Sequence, residues 1–122
     1  MARLVDSETA ARGDIVEWSQ PLIVPSSVQL LVHATPVGMS PHEDAQIAID
    51  WDSMQSGAVV ADVVPKPAMT TLLRAAGAAG ATIIDGRGML VNQAAQNIRL
   101  WAGVDPDTAV MRAALDEALE RT

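Results

Sequence analysis

With 122 residues, the chain is long enough for one small domain and too short for two. It contains no cysteine, which excludes disulfides, thiolate metal sites and a cysteine nucleophile. Its net charge of −7 argues against binding to nucleic acid or to anionic membranes, and no apolar run approaches the roughly 18 residues of a membrane span. We therefore expect a cytoplasmic protein that binds neither nucleic acid nor a membrane.

The first 27 residues carry few signals of regular structure. Residues 2–12 are compatible with a short helix, and residues 14–18 alternate as a short strand does. Residues 19–27 hold two prolines and three serines, so we expect a loop there.

Three apolar segments are predicted as strands, and they cover residues 28–34, 58–64 and 82–85. The first is apolar enough to be buried on both faces of a sheet, and the second also has the character of a buried strand. Prolines follow the first two and prevent them from continuing. A charged segment, residues 42–57, lies between them. We expect it to pack over the sheet through four apolar residues, Ile47, Ile49, Trp51 and Met54.

Three helices are predicted from apolar stripes of helical period. The first covers residues 69–79 and the second residues 90–102, which Gly103 ends. Asp105 and Pro106 are expected to open the third as its N-cap and first position. Its stripe would consist of Val110, Met111, Ala114, Leu115 and Ala118. Strands alternating with helices predict a parallel α/β sheet.

Residues 85–95 hold the densest group of functional signals and begin where the third predicted strand ends. Gly86 and Gly88 allow a sharp turn and a close approach of the backbone to a ligand. Met89 and Gln93 follow four residues apart, so both point to one side of a helix near its N-terminus. Ligands of open α/β sheets bind at this position, just past the carboxyl end of a strand.

The motif Asp-Gly-x-Gly-Met-Leu-Val-x-Gln-Ala-Ala at residues 85–95 resembles the signature of the shikimate/quinate dehydrogenase family, near the C-terminus of its NADP-binding domain. Similar motifs lie on both sides of it, at residues 34–39, 59–64, 67–73, 100–103 and 111–115. The resemblance covers residues ~28 to 115. It implies a partial Rossmann-like parallel sheet, the C-terminal half of a doubly wound α/β fold, with two C-terminal helices. Residues 1–122 would form one incomplete dinucleotide-binding domain.

The resemblance also implies roles for single residues. Gln93 would bind hydroxyl or carboxylate groups of a small polyol-acid substrate, unless it is only a surface amide. Gly86 and Met89 would contact the nicotinamide end of NADP, with NAD as the alternative; otherwise they are a turn glycine and a core methionine.

The cofactor would run past Ala34, Thr35 and Val63. His33 stands where the family has asparagine, and it either replaces the hydrogen bonds of that asparagine or is a satisfied structural residue. We predict no metal site, because the other histidine, His42, lies in a loop without ligand spacing.

Two further positions depart from the family pattern. Pro65 stands where the family has a substrate-binding tyrosine, which puts shikimate itself in doubt and favours a divergent paralogue. Arg87 replaces an apolar residue and either faces solvent or meets a phosphate. Asp62 and Asp85 end strands and are expected to accept backbone N–H groups.

The chain has no G-x-G-x-x-G turn after a strand, and the family domain that carries the catalytic lysine and aspartate is absent from it. We therefore expect a truncated NADP-dependent oxidoreductase that is inactive alone and contains no catalytic residue. The alternative is a non-catalytic remnant that oligomerises or binds a ligand. The outer edge of the 28–34 strand should be covered by a second copy (a homodimer), by a complementing N-terminal half or by a rearranged 14–18 strand.

Overall fold

The computed structural model describes residues 7–17 and 20–121 of the chain. It contains five strands: β1 (Leu22–Ile23), β2 (Leu30–His33), β3 (Ile49–Asp50), β4 (Val59–Asp62) and β5 (Thr82–Ile84). Its longer helices are α1 (Thr71–Ala78), α2 (Gly86–Ala102) and α3 (Thr108–Glu120), and a single 3-10 turn covers Trp51–Ser53. A three-stranded parallel sheet runs in the order β2-β4-β5, and β1 and β3 form a separate parallel pair. The predicted α/β fold class and the pairing of the three main strands are confirmed.

The core lies between the sheet and helix α1. Leu31, Val60 and Ile83 are paired across the three strands, so their side chains form one row on the same face. The buried residues of α1, which are Leu72, Leu73 and Ala76, pack against this face. The segment before β4 also packs there through Ile47, Ile49, Trp51 and Met54, as predicted.

Within residues 7–17 and 20–121, no helix or strand covers the opposite face of the sheet. Val32, Ala61 and Ile84 are paired in one row of that face, and Leu30 lies in the next. Leu30, Val32 and Ile84 are 55%, 50% and 51% exposed. The prediction that the 28–34 strand is buried on both faces is therefore wrong for the described part of the chain, where only its α1 face is covered.

The outer edge of β2 is also open. Gln29 and His33 use their carbonyl groups to bind β4, accepting from the N–H groups of Val59 (2.9 Å) and Val63 (3.0 Å). Since alternate residues of a parallel strand bond to opposite neighbours, the backbone groups of Leu30 and Val32 point outward. No strand of residues 7–17 or 20–121 pairs with them.

The expected strand at residues 14–18 is not present: residues 14–17 are irregular, and Trp18 lies outside the described residues. Strand β1 lies instead within the expected loop at 19–27. Residues 2–6 of the predicted N-terminal helix lie outside the described residues, and of residues 7–12 only Ser7 and Glu8 are in helical conformation.

Both C-terminal helices begin at other residues than predicted. Helix α2 starts at Gly86 because the Asp85 carboxylate accepts from the N–H groups of Arg87 (3.0 Å) and Gly88 (3.3 Å), so the two glycines lie in its first turn. Helix α3 is capped by Asp107 rather than Asp105. Gly103 ends α2 with a positive φ of 64°, as predicted.

Candidate functional site

The carboxyl ends of β2, β4 and β5 meet at one edge of the sheet, and most of the predicted site residues lie there. Ala34 and Thr35 follow β2, Val63 follows β4, and Gly86 begins the helix after β5. The N–H of Val63 donates to the carbonyl of His33 at 3.0 Å, which continues the β2–β4 pairing past the strand ends.

Gly86 is buried against the backbone of the neighbouring strand. A Cβ atom on Gly86 would lie 2.5 Å from both the carbonyl carbon and oxygen of Val63, and 2.6 Å from the oxygen of Val64. Contacts this short do not occur between real atoms, so a side chain is excluded here by the protein itself. The glycine allows α2 to start directly on the end of β4.

Met89 and Gln93 project from the next two turns of α2. Both are exposed, and Met89 exposes 45% of its surface. The alternative that Met89 is a core methionine is therefore wrong. Because the two residues are four apart, they share one side of the helix close to the strand ends.

A buried polar network joins the ends of β2 and β4 to helix α1. The Asp62 carboxylate accepts from the hydroxyl of Thr70 (2.7 Å) and from the N–H of Val64 (3.0 Å), and it lies 3.0 Å from Nδ1 of His33. Nε2 of His33 lies 2.6 Å from Oγ1 of Thr35. His33, Asp62 and Thr70 are all buried. His33 is thus a satisfied structural residue, and Asp62 accepts a backbone N–H as predicted.

A cavity of about 110 Å³ lies beside the outer edge of β2. Its polar lining comes from His33 and Thr35, and the other lining residues are apolar: Leu22, Leu31, Val32, Ala34, Ile47, Ile49 and Leu72.

Arg87 has a structural partner in helix α3. Its Nη1 atom lies 2.6 Å from the Asp116 carboxylate, and its Nε donates to the carbonyl of Pro65 at 3.2 Å. The hydrogen bond from Arg87, reinforced by Arg112, lowers the pKa of Asp116. The Arg87 side chain is only 13% exposed, so the expectation that it faces solvent is wrong. The alternative that it meets a phosphate stays a prediction.

Arg112 of α3 also connects α3 to the N-terminus of α2. Its Nη2 atom lies 2.9 Å from Asp85, and its Nε atom lies 3.1 Å from Asp116. The hydrogen bond to Asp85 raises the pKa of the Arg112 guanidinium. The Asp85 carboxylate therefore caps α2 and binds α3, which orients the helix that carries Met89 and Gln93.

The network and the ion pairs join residues far apart in the sequence. His33 and Asp62 are 29 positions apart, as are Arg87 and Asp116. The sequence offered one usable signal, which is that His33 and Asp62 both lie near the ends of strands predicted to be parallel. It offered none for the Arg87 pair.

Metal-binding and membrane-spanning features are both missing from the described part of the chain. No group of three or more His, Cys, Asp or Glu side chains could hold a metal ion in residues 7–17 and 20–121. None of the helices in those ranges combines the length and apolarity needed to cross a membrane.

A family model described as the shikimate 5'-dehydrogenase C-terminal domain matches residues 86–115. A shikimate dehydrogenase (NADP(+)) of Methanopyrus kandleri is 47% identical over 90 residues, which are 74% of this chain and 31% of that protein. The chain belongs to the shikimate dehydrogenase family. It corresponds to the C-terminal part of that family's fold.

Several solved structures share this architecture. The ligand-free 5-ketofructose reductase of Gluconobacter sp. strain CHM43 superposes with a TM-score of 0.88 at 36% identity, covering 96% of this chain and 42% of that one. The shikimate 5-dehydrogenase of Thermus thermophilus in complex with NADP(H) and shikimate gives a TM-score of 0.67 at 35% identity, covering 75% and 34%. The chain thus spans about a third of the length of the curated relatives that it matches.

Proposed function

We propose that this chain forms the ring-binding side of an NADP-dependent oxidoreductase that interconverts a ketone and an alcohol on a polyol substrate, as between 3-dehydroshikimate and shikimate. The observation that carries the proposal is the exposed pair Met89 and Gln93 on the first turns of α2, beside the carboxyl ends of three parallel strands. This position lies within the segment that the family model matches. It is also where open α/β sheets bind ligands.

The residues present fit the ring end of the cofactor better than its phosphates. An open helix N-terminus after a strand would suit a diphosphate, but in each of the three described α-helices the capping side chain already binds one or two of the first N–H groups. Thr70 caps α1, Asp85 caps α2 and Asp107 caps α3. The residues that bind the cofactor phosphates and the catalytic acid–base pair would then have to come from another polypeptide segment.

In the proposed assembly, bound NADPH (or NADH in its place) would supply the hydride for reduction of the ketone, and the oxidised cofactor would accept it in the reverse direction. Gln93 donates and accepts hydrogen bonds with hydroxyl or carboxylate groups of the substrate, since its amide carries both functions. Met89 provides an apolar contact for the nicotinamide ring. Ala34, Thr35 and Val63 line the path of the cofactor along the strand ends.

The substrate class we propose is a polyol ketone, with a carboxylate as an optional feature. Pro65 has no side-chain hydroxyl, and its carbonyl accepts from Arg87, so this loop offers no equivalent of a tyrosine O–H. One relative is a 5-ketofructose reductase, which widens the set of ring and chain ketones worth testing.

The test follows reduced-cofactor absorbance with NADP or NAD and shikimate or quinate, and with NADPH and 5-ketofructose. Each mixture is assayed with the chain alone and with the N-terminal part of a relative produced beside it. We expect turnover only in the complemented mixture. Turnover by the chain alone would contradict the proposed division of the site, and absence of turnover with every substrate would contradict the activity.

The second candidate is a non-catalytic module that oligomerises or binds a ligand. It is favoured by the uncovered sheet face around Leu30, Val32 and Ile84 and by the open edge of β2. Measurement of the native mass separates the possibilities. A stable dimer that does not bind an N-terminal half favours this module, whereas a monomer that binds one favours the enzyme.

A further inference from the structure

The hydroxyl of Thr35 ends a chain of buried hydrogen bonds whose directions follow from their partners. Oγ1 of Thr70 accepts from the backbone N–H of Leu73 at 3.2 Å, and its own proton is donated to Asp62 at 2.7 Å. Asp62 also accepts from the N–H of Val64 at 3.0 Å. These two partners of the Asp62 carboxylate are donors.

The ring of His33 therefore has its proton on Nδ1. Nδ1 lies 3.0 Å from Oδ1 of Asp62, the oxygen that also accepts from Val64. If Nδ1 carried no proton, two hydrogen-bond acceptors would face each other. In the neutral form of the ring only one nitrogen carries a proton, so Nε2 is an acceptor in that form. It lies 2.6 Å from Oγ1 of Thr35, and the Thr35 hydroxyl donates to it.

The Thr35 hydroxyl oxygen keeps one lone pair with which it can accept a further hydrogen bond. Its proton is bound to His33, and one of its two lone pairs accepts the N–H of Val37 at 3.3 Å. Thr35 is half-buried and lines the cavity beside β2. His33 and Asp62 are only 6% and 2% exposed, so little water reaches the network to offer alternative partners.

We propose that His33, held by Asp62, fixes Thr35 as a pure hydrogen-bond acceptor at the carboxyl end of β2. The site then selects a ligand group that donates, namely a hydroxyl or a carboxamide N–H. It rejects a phosphate or carboxylate oxygen, which would face the Thr35 lone pair. His33 is thereby a positioning residue, and the identity of the ligand, a dinucleotide or polyol, rests on the proposed function.

The proton arrangement is tested on the chain alone by two-bond 1H–15N correlation spectra of its two histidine rings at neutral pH. We expect His33 to show a protonated Nδ1 and an unprotonated Nε2, while the exposed His42 shows averaged tautomers and serves as the internal control. In Thr35→Val, the Nε2 resonance of His33 should shift towards the value of a free nitrogen with Nδ1 unchanged. Thr35→Ser should restore the original spectrum.

Three results would overturn the arrangement: a proton on Nε2 instead of Nδ1, a doubly protonated ring at neutral pH, or an Nε2 resonance that ignores Thr35→Val. The Nδ1 signal also separates this effect from unfolding, because an unfolded variant would lose the distinct His33 tautomer altogether.

Ligand selection is tested by NADP titration calorimetry on the complex with the N-terminal part of a relative. Thr35→Val should weaken NADP binding about fivefold, the value of one ordinary hydrogen bond, and Thr35→Ser should change it by less than about twofold. If the unaltered complex binds NADP and Thr35→Val binds it equally well, the selection proposal is wrong while the proposed function stands. If the unaltered complex binds no NADP, the proposed function fails and the ligand assignment fails with it.

Discussion

Gly86 begins helix α2 in direct contact with the carbonyl group of Val63, at a distance that leaves no space for a side chain. The end of one strand and the start of the following helix are thereby held together by backbone atoms alone. Since Met89 and Gln93 follow within two turns, their position at the sheet edge depends on this contact.

Replacing Gly86 with alanine should destabilise the fold. The new Cβ would lie 2.5 Å from backbone atoms of Val63, which cannot rotate away as a side chain could. We expect a loss of about 1–3 kcal/mol in the free energy of unfolding, measured by urea denaturation.

The matched control is Gly88→Ala in the same helical turn, where a Cβ would meet only the Arg112 side chain at an ordinary 3.7 Å. It should leave the stability unchanged or raise it slightly, because alanine favours helix. Equal destabilisation by both substitutions would contradict the contact with Val63.

The ion pair between Arg87 and Asp116 should make stability depend on pH at the acidic end. The hydrogen bond from Arg87 lowers the pKa of Asp116 from its usual 3.8 in the folded chain. Such a carboxyl stabilises the fold above its unfolded pKa, and the contribution is lost as the pH falls through the lower folded value. The difference in unfolding free energy between the unaltered chain and Asp116→Asn should therefore be greatest at neutral pH and shrink below about 3.8.

Asp105→Asn is the control for this series. Its partner Arg99 is 2.6 Å away, but the Asp105 side chain is 80% exposed, so solvent screens the pair. We expect a smaller loss of stability than in Asp116→Asn at neutral pH. If the difference in unfolding free energy between the unaltered chain and Asp116→Asn stays constant across the acidic range, the Asp116 carboxylate does not act as an ion-pair partner.

Gln93→Ala should weaken shikimate or quinate binding in the complemented enzyme by about tenfold, the upper range for one hydrogen bond, without changing the unfolding curve. Gln93 is exposed on α2, so its removal disturbs no packing. Gln96→Ala, an exposed glutamine one turn further along, should leave binding unchanged. Binding is measured by calorimetry and stability by circular dichroism, and unfolding of Gln93→Ala would assign the glutamine a structural role.

A charged residue introduced on the buried face of the sheet should prevent folding, whereas one introduced on the exposed face should be tolerated. Val60 is fully buried under α1, so Val60→Asp should abolish the cooperative unfolding transition. Val32 is 50% exposed on the uncovered face, and Val32→Asp should fold and reduce self-association in sedimentation experiments. Loss of folding in both variants would mean that the outer face is covered by another part of the assembly.

The sequence predicted elements whose signals are local. Apolar runs ended by prolines identified β2 and β4, and Gly103 identified the end of α2. The helix starts were displaced because several aspartates compete as caps. Asp107 takes this role two residues after Asp105, and Asp85 starts α2 before its glycines.

Other features could not be predicted because they depend on long-range contacts. The pairing of β1 with β3 joins segments that are only two residues long and carry no periodic pattern. The role of Arg87 depends on Asp116 in another helix. The apolar outer residues of β2 led to the prediction that this strand is buried on both faces, but no element within the described part of the chain covers the outer face.

The bare face formed by Leu30, Val32 and Ile84 has a practical consequence for anyone handling this protein. A flat apolar surface beside an unpaired strand edge favours self-association, both by stacking of the apolar faces and by pairing of the strand edges. This self-association competes with slower binding to a correct partner. Yield of assembled material should consequently depend on the order of events, with simultaneous synthesis of both halves giving more than late mixing of separately purified ones.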